Sequence, residues 1–107
     1  MLEINEDSIK MTRGDDGYFD LTIYTPNGRD IYEVRKGDRV VFSVRSKPRK
    51  TPGCVLLMEK EFKNNKIKLN ADDTKFMKPG TYYYDCEIKF PTGDVNTICE
   101  GTFTLVY

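Results

Sequence analysis

The sequence predicts an all-β protein: an Ig-like sandwich of about seven or eight antiparallel strands in a single domain spanning 1–107. Three observations predict it. Apolar and polar residues alternate through most long segments, the signature of strands with one face buried. Turn-forming residues recur at intervals of roughly 8–12 residues. Only one stretch, 72–77, has helical character, and it is too short to carry a fold.

The segments follow in order. Residues 8–13 read as a short strand with Ile9 and Met11 on one face. Arg13-Gly14-Asp15-Asp16-Gly17 breaks it, since two glycines and two aspartates favour a turn. Residues 18–25 alternate, with Phe19, Leu21 and Ile23 on one face and Tyr18, Thr22 and Tyr24 on the other. Asn27-Gly28 then signals a hairpin, because both residues tolerate positive φ. A two-residue loop there sets Ile23 opposite Tyr32 and Leu21 opposite Val34. After the Lys36-Gly37-Asp38 turn, Val40, Phe42 and Val44 alternate with Val41, Ser43 and Arg45. Residues 47–53 carry two prolines, which exclude a central strand, so they form a loop. Residues 55–62 and 66–70 read as two strands joined by Asn64-Asn65. Asp72 or Asp73 caps the single helical turn, and Pro79-Gly80 ends it. The last third reads as a hairpin, 81–90 against 95–107. A Thr92-Gly93 loop pairs Phe90 with Val95, Ile88 with Thr97, Cys86 with Cys99, Tyr84 with Gly101 and Tyr82 with Phe103. The opposite face sets Glu87 against Ile98, Tyr83 against Thr102 and Asp85 against Glu100. The last pair is like-charged and calls for a cation from the next strand.

Composition narrows the function. Lys plus Arg equal Asp plus Glu at 17 each, and the signs are interspersed, so neither nucleic acid nor an anionic membrane is indicated as a partner. The N-terminus has no apolar core of a signal peptide, and no run reaches the roughly 20 apolar residues of a membrane span. Cytoplasmic synthesis is expected, with Cys54, Cys86 and Cys99 as thiols. Opposed on neighbouring strands, Cys86 and Cys99 also allow a disulfide, although two buried thiols packed as apolar residues is the plainer reading. The chain has no histidine, which removes the commonest general base and most zinc sites. Asp15/Asp16 and Asp72/Asp73 fit turns and caps better than acid–base catalysis or a calcium loop. No catalytic residue, metal or cofactor is expected. Arg13-Gly14-Asp15 spells a cell-adhesion tripeptide but reads as a turn.

The candidate interaction surface comprises the outward tyrosines Tyr18, Tyr24 and Tyr83 and the basic group Arg45, Lys47, Arg49 and Lys50. Tyrosine is enriched at interfaces because it offers contact area at low entropic cost. The same residues are also ordinary on a solvated surface.

A resemblance adds to this. Asp72-Asp73-Thr74-Lys75-Phe76-Met77-Lys78-Pro79-Gly80-Thr81-Tyr82-Tyr83-Tyr84-Asp85 is one part of it, and Gly93-Asp94-Val95-Asn96-Thr97-Ile98-Cys99-Glu100-Gly101-Thr102-Phe103-Thr104-Leu105 is the other. Together with Thr12-Arg13-Gly14-Asp15 they resemble a small β-sandwich domain of tail and baseplate proteins from phages and prophages of Gram-positive bacteria, similar to the N-terminal domain of upper baseplate proteins. The middle, 47–53, departs most from that pattern. The resemblance implies a virion structural protein that binds other phage proteins or copies of itself. The alternative is a free-standing Ig-like module recognising a carbohydrate or peptide.

Overall fold

In the computed structural model, which describes residues 2–5, 7–24, 29–63 and 66–107, the chain runs β1 (Leu2–Asn5), β2 (Ser8–Thr12), β3 (Gly17–Asp20), β4 (Arg39–Arg45), β5 (Leu56–Glu61), β6 (Lys66–Leu69), α1 (Ala71–Thr74), β7 (Gly80–Lys89) and β8 (Val95–Val106). A six-stranded sheet in the order β1-β2-β8-β7-β4-β5 faces a two-stranded sheet, β3-β6. The fold is therefore the expected all-β sandwich, with very unequal layers.

Between the sheets lie Ile9 and Met11 of β2, Phe19 of β3, Phe42 and Val44 of β4, Met58 of β5, Ile67 and Leu69 of β6, Tyr84 and Cys86 of β7, and Phe103 and Leu105 of β8. Phe42 is the hub. Its ring meets Phe19 edge-on at 5.3 Å and lies 5.5 Å from Tyr84 and 6.5 Å from Phe103. Each such buried side chain contributes about 1.5–3 kcal/mol relative to exposure. A second cluster of Ile23, Val40 and Ile88 sits beyond the end of the small sheet. Half-buried Tyr32, Phe90 and Ile98 pack against it.

Several expectations need correction. The strand at 18–25 is shorter, ending at Asp20, and its ladder partner is β6. The hairpin register survives only locally: Tyr24 bridges Ile31, and the Tyr32 N–H donates to the Ile23 carbonyl at 2.7 Å. Leu21 and Val34 form no ladder. The Asn27-Gly28 and Asn64-Asn65 turns lie outside the described residues. Strands β5 and β6 do not form a hairpin ladder but turn a corner between sheets. The Phe62 N–H donates to the Val40 carbonyl at 2.9 Å, and a bridge at Lys63 and Lys66 follows. The corner is needed because Met58 reaches the core from one sheet and Ile67 and Leu69 from the other. The acidic start forms β1 against β2.

Residues 80–86 pair with 99–105 as expected, including Tyr84 with Gly101 and Cys86 with Cys99. Beyond them the register slips by one: Glu87 meets Thr97, Ile88 meets Asn96 and Lys89 meets Val95. The cause is the loop. Phe90 N–H donates to the Asp94 carbonyl and Gly93 N–H to the Phe90 carbonyl, both at 2.9 Å, which closes a three-residue loop with Gly93 at φ +93. Ile98 is the extra residue that restores the register. Strand β2 pairs with β8 in parallel, the one non-antiparallel ladder among the described strands.

The helical turn spans Ala71–Thr74 with Asn70 as its cap residue, so it starts one residue before the expected 72–77 and ends three residues short of it. Neither aspartate is the cap residue itself. Asp73 accepts the Asn70 N–H at 2.7 Å from inside the turn, and Asp16 accepts the Ala71 N–H at 2.7 Å. The Arg13-Gly14-Asp15 tripeptide is a pinned turn. Arg13 N–H donates to the Val106 carbonyl at 2.7 Å, Gly14 N–H to Thr74 Oγ1 at 3.0 Å, and Asp15 N–H to the Thr12 carbonyl at 3.2 Å.

Candidate interaction surfaces

The basic group lies where β4 ends and the loop 46–55 begins. Two consecutive turns shape this loop: Thr51 N–H donates to the Pro48 carbonyl and Cys54 N–H to the Thr51 carbonyl, each at 3.1 Å. Lys50 at φ +67 and Gly53 at φ +80 complete the reversals. The base is closed by Ser46 N–H donating to the Val55 carbonyl and Val55 N–H to Ser46 Oγ, each at 3.0 Å. Cys54 is half-buried, and its thiol donates to the Lys47 carbonyl at 3.3 Å.

Because β4 pairs with β7, this loop folds over the outer face of β7. Asp85 lies there, its side chain only 2 % exposed, between half-buried Tyr83 and Glu87. The cation that the Asp85–Glu100 pair called for is Arg45, from the neighbouring strand. Its Nε donates to Asp85 Oδ1 at 3.0 Å. Burial works against the charge on Arg45, yet the Asp85 hydrogen bond and charge hold its guanidinium above its usual pKa. Arg49 follows, with Nη2 2.6 Å from Glu87 Oε1, Nη1 3.8 Å from Asp85 Oδ2, and a hydrogen bond from Nη1 to Thr97 Oγ1. Asp85 Oδ2 itself has no hydrogen-bond partner. Arg45, Pro48, Arg49, Tyr83, Asp85 and Glu100 line a cavity of about 210 Å³ here.

The structure thus brings Arg45, Arg49 and Tyr83 together and turns both arginines inward as a clamp on β7. Lys47 and Lys50 remain exposed. Tyr83 is half-buried. The other two tyrosines lie elsewhere. Tyr18 is 61 % exposed, with Lys66 Nζ 4.3 Å from its ring centre, in a strongly charged hollow also lined by Glu59, Glu61 and Lys68. Tyr24 is 59 % exposed and borders an apolar hollow of about 530 Å³ with Tyr32, Ile88, Phe90 and Ile98. The three hollows have no lining residue in common, so the proposed surface divides into three.

Sequence reasoning missed a fourth feature. Strand β5 is an edge of the large sheet, and at its start Val55, Leu56 and Leu57 are 55 %, 47 % and 42 % exposed. The available signal was the unbroken apolar run 55–58 directly after a proline-rich loop, where alternation fails. One member of each aspartate pair considered for chemistry serves the architecture: Asp16 holds α1, and Asp73 pairs with Lys60 Nζ at 2.9 Å. Among the described residues, no group of three or more Cys, Asp or Glu side chains could hold a metal ion, and no helix is long and apolar enough to cross a membrane.

No protein-family model matches the chain, and no curated protein matches it.

Proposed function

We propose that the chain is a structural protein of a phage- or prophage-derived particle, in its tail, baseplate or another virion component, and that it works by binding other proteins rather than by catalysis. The observation that carries the binding role is the β5 edge. An edge strand presents unpaired main-chain donors and acceptors, and three consecutive apolar side chains stand exposed at its start. The particle assignment is supported by the resemblance of 72–85 and 93–105 to the baseplate sandwich. The partner is another structural protein of the particle or a further copy of this chain.

A second reading, a free-standing module for a carbohydrate or peptide, is favoured by the apolar hollow beside Tyr24. Size-exclusion chromatography with light scattering over a concentration series separates the two. A mass that rises with concentration supports the structural reading. A strict monomer that binds on a glycan array supports the module.

A further inference from the structure

We propose that Cys86 and Cys99 are a reversible disulfide-forming pair, in which Cys99 reacts first with a small disulfide oxidant and Cys86 resolves the adduct. The two are direct partners across the β7–β8 ladder. Opposed residues of an antiparallel ladder have Cα atoms roughly 4.5–5.5 Å apart, within the roughly 4.4–6.8 Å that a disulfide spans. Their Cβ atoms start at about 4.5–5.5 Å and must close to about 4 Å, so the bond forms with strain. Strained disulfides are the reducible ones, which makes the pair a switch rather than a permanent staple.

The two thiols differ in the way a relay requires. Cys86 is fully buried on β7, whereas Cys99 is half-buried. Cys99 lies between two hollows. One, about 180 Å³, also has Asp7, Ile9, Tyr84 and Cys86 on its walls; the other is the larger apolar hollow beside Tyr24. A small molecule entering either reaches Cys99. Hydrogen bonding from the Cys86 thiol holds Cys99 below its usual pKa, and the same bond together with burial raises Cys86. The nucleophile must also be reached from solvent, and Cys99 is the half-buried one of the two, so the first attack falls to Cys99. Ile98, the bulge residue, adjoins Cys99, and bulged ladder yields more easily than regular ladder.

The exchange balances. The Cys99 sulfur attacks one sulfur of the oxidant, forming a mixed disulfide and expelling the other half as a thiol. Cys86 then gives up its proton to solvent and attacks the Cys99 sulfur, expelling the second half. Two protein thiols are oxidised and one small disulfide is reduced to two thiols.

The test uses the full chain carrying Cys54→Ser, treated with an aromatic disulfide, dithiodipyridine. The expected result is release of two thiopyridones per chain, a mass lower by two hydrogens with no adduct retained, and return to the starting mass with dithiothreitol. In the Cys86→Ser variant, Cys99 should react as fast as before but keep its pyridyl adduct. In the Cys99→Ser variant, Cys86 should react at least tenfold more slowly. Circular dichroism identifies a variant that fails to fold, and the parent chain then decides alone. A parent that retains an adduct, or leaves both thiols unreacted, overturns the pair. A Cys99→Ser variant that is folded and reacts at the parent's rate overturns the order of attack.

Discussion

Gly101 is defined by what surrounds it. A Cβ at that position would sit 1.9 Å from the Asp7 carbonyl oxygen and 2.9 Å from Tyr84 Cε2. Backbone on one side and a core ring on the other leave nothing free to move aside. Gly101→Ala should therefore cost at least about 3 kcal/mol, read as a lower urea midpoint at unchanged slope. The sequence shows the Tyr84 side of this, because the register sets a glycine opposite a tyrosine; the closer approach of the Asp7 backbone was not legible. Tyr84 carries a second expectation. Burial raises its pKa from 10.0 to about 12. In the unfolded chain the phenol ionises near its ordinary value, so between about pH 10 and pH 12 the folded state holds the extra proton. Stability from this group is complete below about pH 10 and declines as pH rises through that window. Tyr84→Phe should flatten the fall in urea midpoint across the window; an unchanged slope would assign the fall to other groups. The Arg45–Asp85 contact shows how far a charge pattern can be read. Like charges paired across strands imply a cation, and strand order makes it Arg45. That Arg49 folds back over the same face was not legible, because a loop's path depends on turn geometry at Lys50 and Gly53 that periodicity does not encode.

At the scale of elements, the β7–β8 hairpin separates what alternation determines from what it leaves open. Residues 80–86 and 99–105 are apolar on matching sides, so a one-residue slip would drive core side chains into water, and the pairing can be read from sequence. Near the turn that constraint weakens, since Asn96 and Thr97 are exposed and tolerate either register. Loop length then decides, and Pro91, Thr92 and Gly93 form a three-residue loop that requires Gly93 in the left-handed region. Gly93→Ala should cost about 1 kcal/mol, and Gly93→Asn less, because asparagine tolerates that conformation better. Urea midpoints of the two variants check the order. The separation of β5 from β6 was illegible for a related reason. Adjacent strands with a short connection usually pair, and only the placement of Met58 against Ile67 and Leu69 across the core shows that the chain changes sheets.

The whole molecule is a six-stranded sheet half-covered by a two-stranded one, with β1 and β5 as the edges of the larger layer. The charged end of β5 has Arg39 3.7 Å from Glu59 and 3.6 Å from Glu61, whereas Val55, Leu56 and Leu57 at the other end carry no charge to discourage pairing. If this edge is where copies meet, Leu57→Lys should hold the mass at the monomer value throughout a concentration series in which the parent grows. A variant that still associates would move the contact elsewhere. Fold class was legible because it depends on a repeated pattern. The unequal layers were not, because the short β3 and β6 ladder depends on which strands meet in space. The parallel ladder of β2 and β8 has a consequence for biosynthesis. Ser8 bonds Thr102 across 94 positions of chain, so the centre of the large sheet stays open until β8 has cleared the ribosome. Until then Ile9 and Met11 have no β8 to lie against, and a nascent chain stalled before residue 102 should be open to protease where the released protein resists it.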